Sequence, residues 1–377
     1  MKRWRVLLTS SNLALLAAVE AGAQGTHGPG WTLALGLQEA VYGNARFAAP
    51  DGGLDVVSGI QAALDRGWAL RRGGVQLGGE VGEELHRGSA DLDRFTYGMS
   101  AAAGYQLSRR AALGLTYGLH SSYIRDVAAL SAAGLLPPLT FVRMNDAEGT
   151  VAYLASRRTE VRLALRDERV HFESPGFHDG STFATRVALA RQGRRSTTGG
   201  SYEYQRVTND GAASGVHGLL ATWEGTFGRP LSVRAAGGAD LYKLPGQDRT
   251  HVTPSGEVGL GGRFGRTTLG LSYSRSIDQA FGFGRLQLLD AVSLRYGLEI
   301  GPRLGLDAAA EQAWSRDPGD PAFRLRGRVL STGVRWALGR GLGLGVGYSY
   351  WRRQEVPSPA ASTHHAAMSL TYRRSWR

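Results

Sequence analysis

Arg324, Arg326 and Arg328 alternate with Phe323, Leu325 and Gly327. In an extended chain successive side chains take opposite faces, so three guanidinium groups stack on one face, where they would attract anions. Arg186, Arg234, Arg263 and Arg295 hold polar-face positions in other alternating runs, and so do Glu203, Asp240, Glu257, Glu299, Asp307 and Glu311. The mixture leaves two readings open: an anion-attracting surface, or a surface knitted together by ion pairs. His364 and His365 are adjacent, and a strand sends them to opposite faces, so they cannot share a metal ion. His178-Asp179 has the composition of a protease-type dyad, yet no cluster of acids accompanies it in sequence, which favours a solvated loop. Gly341, Gly343, Gly345 and Gly347 form a G-x-G-x-G-x-G string, but a phosphate-binding loop needs a bend and a helix after it. This string lies within an alternating run and gives a smooth strand face. No catalytic constellation, metal site or cofactor is expected, and the chain is not expected to be an enzyme.

These residues belong to a chain of 377 residues with 44 Lys+Arg, 32 Asp+Glu and a net charge of +12. The absence of cysteine excludes a disulfide scaffold, a zinc ribbon and thiol catalysis. Glycine reaches 54 residues without a collagen period and proline only 13, which argues against a low-complexity chain. No apolar run reaches the roughly 18–20 residues that a spanning helix needs. The pI of about 10.3 suggests nucleic acid, but the charge gathers on no single element, so nucleic acid is not an expected partner.

Lys2, Arg3 and Arg5 precede the moderately apolar stretch Val6–Val19, which Ala21-Gly22-Ala23 follows. That order is the charged, apolar and small-residue pattern of a secretory signal. The expected organisation is a leader over 1–23 and one structural unit over 24–377, whose mature charge is near +10.

After the leader the dominant pattern is alternation with period two, the mark of strands with two unlike faces. In Gly341–Arg353, Leu342, Leu344, Val346, Tyr348 and Tyr350 point one way, while Gly343, Gly345, Gly347, Ser349 and Trp351 point the other. Leu113–Tyr123, Leu231–Leu241, Glu257–Phe264, Leu269–Ser276, Val292–Ile300, Leu304–Trp314 and His364–Trp376 behave alike. Most runs hold about ten residues or more, against the ~5–6 usual in soluble strands, and ten is enough for a tilted strand to cross a bilayer. Aromatics gather toward the strand ends on the apolar face, at Phe264, Trp314, Trp336, Tyr348, Tyr350, Tyr372 and Trp376, as in the two girdles of a membrane barrel. The Gly- and Ser-rich opposite face suits a wet lumen, toward which Arg324, Arg326 and Arg328 are predicted to point near the outer mouth. Val170–Phe172 and Leu330–Val334 break phase and are predicted to be bulges or rims.

Short turns with arginine recur along the chain. Taking Arg66, Arg109, Arg157, Arg194, Arg229, Arg266, Arg303 and Arg340 as markers, the spacings are 43, 48, 37, 35, 37, 37 and 37. A nearly fixed period means one repeated unit, here a hairpin of two long strands. Longer connections alternate with these turns: Tyr42–Gly53, His86–Arg94, Val127–Asp146, Glu173–Gly180, Asn209–Ser214, Lys243–Thr250, Ile277–Gly284, Asp317–Ala322 and Glu355–Ser362. The tally predicts an all-β, antiparallel, up-and-down transmembrane barrel of about 18 strands (16–20), with short turns and both termini periplasmic. The turn arginines either meet inner-leaflet phosphates or stay solvated and keep the turns wet, and their presence in all eight turns favours the first.

The last residues, His364–Arg377, resemble the C-terminal assembly signal of bacterial outer-membrane barrels, carried by Met368, Leu370, Tyr372 and Trp376. Arg374 interrupts that pattern and Arg377 follows its closing aromatic. The resemblance implies a location in the bacterial cell outer membrane, with outer-membrane lipid and the barrel assembly machinery as partners. More loosely, the chain resembles porin-like barrels associated with exopolysaccharide export, through Phe281-Gly282-Phe283-Gly284-Arg285-Leu286 and Trp314-Ser315-Arg316-Asp317-Pro318. That likeness implies polysaccharide or envelope export components as further partners. Porins fold their third loop into the lumen, and the apolar stretch Val127–Leu139 is expected to do the same, with a short helix over Val127–Ala133. The expected function is passive passage of small hydrophilic or anionic solutes, or of a secreted exopolysaccharide. The alternative is a closed or plugged barrel that serves as a structural or docking element of an envelope export system.

Overall fold

The computed structural model describes residues 30–44, 53–126, 135, 139–173, 176–209, 212–228, 230–280, 282, 284–320, 322–356 and 358–376, with backbone alone at 278–280. The predicted leader and most of the stretch 127–138 lie outside the described residues. The alternating runs form eighteen strands: β1 (Gly30–Gly43), β2 (Leu54–Leu70), β3 (Gly73–His86), β4 (Arg94–Gln106), β5 (Ala111–Tyr123), β6 (Phe141–Leu154), β7 (Thr159–Phe172), β8 (Gly180–Gln192) and β9 (Ser196–Asn209) come first. They continue as β10 (Ala212–Phe227), β11 (Leu231–Lys243), β12 (Thr250–Phe264), β13 (Thr267–Ala280), β14 (Arg285–Glu299), β15 (Leu304–Arg316), β16 (Arg324–Gly339), β17 (Leu342–Val356) and β18 (Ala361–Trp376). Each pairs antiparallel with its chain neighbours, and β18 pairs with β1, so the sheet closes and has no free edge. The last strand lies in full register on the first, with Trp376 opposite Trp31, Tyr372 opposite Leu35, Leu370 opposite Leu37 and Met368 opposite Glu39.

The outer face is apolar. Leu37, Leu115 and Leu219 are 55%, 62% and 62% exposed, and Val187, Leu260, Leu294, Val346 and Leu370 share that face around the barrel. A belt of this kind has no stable place in water and matches the hydrocarbon of a bilayer. Trp336 and Trp376 mark one edge of the belt, and Trp314 and Tyr348 the other.

Three parts of the sequence reading need correction. Arg66 is not in a turn: β2 runs on to Leu70, and the turn is Arg71-Arg72. Arg66 instead sits on the outer face between Trp31 and Trp68, 4.4 and 4.6 Å from their ring centroids. With Arg72 as marker, the distance to Arg109 becomes 37, equal to the later spacings. Second, neither Val170–Phe172 nor Leu330–Val334 is a bulge, since both keep register with their partners; Val170–Phe172 is the rim end of β7, the other of the two readings, and the irregularity in β16 falls at Ala337/Gly339. Third, the loop predicted over Val127–Asp146 ends before Phe141, where β6 begins. The second and third errors near β6 and β7 share one cause. Val142, Met144, Val170 and Phe172 are apolar and yet face inward, where they form a buried cluster with Ile124.

Candidate functional site: the lumen and its mouth

Nine connections, L1 to L9 in chain order, lie at the end of the barrel opposite the termini. Most are longer than the turns at the other end, but L5 has only two residues, because Ala212 already pairs with Asn209 where the loop Asn209–Ser214 was predicted. At the root of L3, between β5 and β6, a single 3-10 turn at Ile124–Asp126 carries Arg125 back across the barrel wall. Arg125 binds both carboxylate oxygens of Glu84 on β3 and donates to the Tyr42 hydroxyl on β1. Tyr42 stacks on His365 of β18, with ring centroids 4.3 Å apart. Below the same turn, Tyr42, Val57, Tyr123, Leu139 and Phe141 form a buried apolar cluster. Asp55 and His86 support it from β2 and β3: His86 Nδ1 lies 2.8 Å from Asp55 Oδ2, and the Gly88 N–H donates to Asp55 Oδ1 at 2.8 Å. Both side chains are buried, and each polar atom named has a partner, as buried polar groups require.

A second inward fold involves L4 (173–179) and L7 (281–284). β13 stays paired with β14 as far as Ala280 but leaves β12 after Arg275. The hairpin tip leans over the lumen, where the Ile277 N–H donates to Asp240 Oδ2 on β11 at 3.2 Å. Ile277, Leu286 and Leu288 pack there with Val207, Val216, Tyr242 and Leu244, well away from the lipid face. The tip ends in a two-residue antiparallel bridge between Gly282 and His178. Strands β9 to β12 lie between the two loops in the closed sheet, so the bridge crosses the mouth as a chord.

Next to His178, Asp179 accepts from His171 Nδ1 at 2.5 Å and from the Phe172 N–H at 2.8 Å. Partial burial pushes the Asp179 carboxyl up, but those two bonds and the neighbouring imidazoles outweigh it and hold the group below its ordinary value. The pair staples L4 to the end of β7. His364 and His365 take opposite faces as expected: His364 meets the Tyr348 hydroxyl outside at 2.6 Å, and His365 faces inward. No group of three metal-ligating side chains occurs among the described residues.

Inside the barrel, arginines come with carboxylates. Arg186 is 3.9 Å from Glu203, Arg263 2.9 Å from Glu299, Arg295 3.3 Å from Glu311, and Arg234 contacts Glu257. Arg162, Arg166, Arg335 and Arg353 likewise pair with Glu160, Glu168, Asp307 and Glu355. The acids outnumber these partners. Asp146, Glu148 and Glu224 face the lumen with no cation within 4.0 Å among the described residues, and Asp240 accepts from Ser255 and Ile277 instead. Glycine makes room for the acids: a Cβ on Gly98 would stand 2.5 Å from Glu80 Oε1, so that carboxylate lies flat on the wall. Glu80 also faces His120 Nδ1 at 3.7 Å.

The expected lumen position of Arg324, Arg326 and Arg328 is wrong. In register they share a face with Leu330, Val334 and Trp336, and all three are exposed, while Leu325 between them is fully buried on the inside. Polarity ceases to report direction once a strand has left the hydrocarbon, because both faces are then wet. With these three outside, the fixed charge of the lumen is acidic although the chain as a whole is basic. Among the turn arginines, Arg109, Arg157, Arg194, Arg266, Arg303 and Arg340 lie in turns as predicted, and Arg229 lies outside the described residues. Glu84, Arg125, Asp55 and His86 were not singled out from sequence. Asp55 and Glu84 fit the strand alternation, but nothing local links either to Arg125.

A closed, even-stranded antiparallel barrel with an apolar outer face, short turns at one end and long loops at the other is a transmembrane barrel of the bacterial outer-membrane type. No protein-family model matches the chain, and no curated protein matches it in sequence. Solved structures do match the fold. Pseudomonas aeruginosa OpdO superposes with a TM-score of 0.54 at 14% identity, covering 92% of this chain and 97% of that one. P. aeruginosa OccK2 (OpdF), in complex with glucuronate, gives 0.53 at 12% identity over 92% and 98%. The outer membrane protein opdK of P. aeruginosa gives 0.50 at 12% identity over 92% and 99%. None of these three is described as an exopolysaccharide-export barrel, so that part of the resemblance gains no support.

Proposed function

We propose that this protein is a passive outer-membrane channel for small hydrophilic solutes, with a lumen that favours cations over anions. The observation that carries the reading is the placement of charge. The lumen arginines are matched by carboxylates, Asp146, Glu148 and Glu224 are left over, and much of the chain's excess of arginine sits on turns and the outer face. Fixed charge lining a narrow aqueous path sets which ions enter it. A barrel of eighteen strands is also too wide for wall side chains alone to fill, so the inward loops set the narrowest point. Glucuronate is the ligand of OccK2 (OpdF); the surplus of carboxylates here points this chain away from anionic substrates. L4 and L7 spanning the mouth argue for small solutes over a secreted polymer. The turn arginines and the outer-membrane lipid they would meet, like assembly through the β18 signal, belong to the same reading.

The span across the mouth is also what a closed, docking barrel would show, and one experiment separates the two. Refolded mature chain in a planar bilayer under a salt gradient should conduct steadily, with a reversal potential of the sign for cation preference. The opposite sign would overturn the charge reading, and silence from a folded, heat-modifiable barrel would establish the closed one. Deleting residues 128–138 should raise the conductance of a single channel; no change would remove L3 as a constriction.

A further inference from the structure

Strands β12 and β13 are paired from Phe264–Thr267 only as far as Gly256–Arg275, although β12 extends to Thr250 and β13 to Ala280. In an antiparallel ladder a residue turns its N–H and C=O to the same neighbour, and successive residues turn to opposite neighbours. The Arg263 N–H donates to Pro230 O at the foot of β11, so the odd residues of β12 bond toward β11 and the even ones face β13. The Glu299 N–H donates to Arg266 O just before β13, so the even residues of β13 bond toward β14 and the odd ones face β12. Gly256 and Arg275 are therefore a pair that exchanges two hydrogen bonds. Continued register would next bring residue 254 and Ile277 into another such pair.

Residue 254 is proline. It has no N–H for the Ile277 C=O, and for that reason proline inside a sheet is confined to edges and bulges. Toward β11 the same residue stands opposite Ala239 at a position that shares no hydrogen bonds, so that pairing survives. The Ile277 N–H, which would have met Pro254, donates instead to Asp240 Oδ2 at 3.2 Å, and Ser255 steadies the carboxylate by donating to Oδ1 at 3.1 Å. The Ile277 side chain is then buried against Val207, Val216 and Tyr242 on the inner wall. We propose that Pro254 positions the constriction: by withholding one donor it parts β13 from β12, sends L7 across the mouth and so sets the size of solute that enters. The inference rests on the channel reading above. Pro254 acts from the outer face, which it shares with Val252 and Val258, 67% and 50% exposed, so replacing it leaves the lining of the lumen as it was.

Pro254→Val restores the donor. In a planar bilayer its single-channel conductance should rise above wild type, and the largest polyethylene glycol able to enter the pore, read from the fall in conductance across a graded series, should increase. Pro254→Ala should do the same, which ties the effect to the N–H and covers poor folding of the valine variant. A second readout needs no conduction. The chain has no cysteine, and residues 253 and 278 would stand opposite each other in continued register. A disulfide needs Cα atoms within about 7 Å. T253C/D278C should therefore stay reduced under oxidant with Pro254 in place and close once P254V is added. A P254V barrel that neither closes the disulfide nor conducts more would overturn the proposal, and so would a disulfide that forms equally well with the proline present. Closure with the conductance and the polymer limit both unchanged would overturn the link between β13 and solute size. Closure in a barrel that is silent with either residue at 254 would overturn the channel reading and leave the strand positions as proposed.

Discussion

His178 and Gly282 exchange both backbone hydrogen bonds, each at 3.1 Å, although four strands separate their loops in the closed sheet. A bridge of two residues is weak by itself. It holds because β13 has already leaned inward on the Ile277–Asp240 bond and on the apolar cluster around Tyr242. The width of the mouth is therefore set by where β13 parts from β12.

Shortening L7 tests this directly. Replacing residues 281–284 with Asn-Gly, which suits a two-residue hairpin turn, removes the bridge and leaves the strands intact. Single-channel conductance should rise. If it stays the same, the narrowest point of the path lies elsewhere, with L3 the next candidate.

Charge selectivity should respond to the lumen acids that have no cation partner. A unit charge about 10 Å from a passing ion is worth roughly 0.4 kcal/mol in water, about a twofold change in occupancy. D146N and E148Q together should therefore lower the cation-to-anion permeability ratio several-fold, read as a smaller reversal potential in a salt gradient. R324Q/R326Q, which acts on the outer face, should leave that potential where it was.

The L3 root depends on the ion pair between Arg125 and Glu84, whose side chains are 11% and 17% exposed. Glu84→Gln takes the carboxylate away from the guanidinium, whose contacts with the Tyr42 hydroxyl and the Tyr42 and Tyr123 rings remain. Removing one partner of a buried pair costs about 3 kcal/mol, discounted here because the site is not dry. The expected result is a lower temperature for the heat-modifiable transition and noisier channel currents as L3 loosens. A variant with wild-type melting would show that the apolar cluster holds the loop unaided.

Acid should release L4. The folded-state value of Asp179 is depressed, so its contribution is fully present above the ordinary carboxylate range and is lost as pH falls through the lowered value. Protease nicking of L4 should stay slow at neutral pH and accelerate in strong acid. Asp179→Asn should nick quickly at every pH, with the acid step gone. A variant that keeps the step would assign it to another group.

Period-two alternation over runs of about ten residues was enough, by itself, to specify the barrel, its strand number and the face each central residue presents. That information is local: a strand in hydrocarbon must expose apolar atoms outward, and every second residue reports it. The rule fails where the surroundings change. Arg324, Arg326 and Arg328 lie beyond the hydrocarbon, so their polarity no longer told inside from outside. Val142, Met144, Val170 and Phe172 face an apolar loop root instead of water, so a true strand pair looked like a loop or a bulge. Arg125 and Glu84 are 41 residues apart, and His178 and Gly282 more than a hundred. Only closure of β18 on β1 and the departure of β13 from β12 bring such groups together, because loop contacts across a lumen follow from the curvature of the whole sheet and leave no period in the sequence.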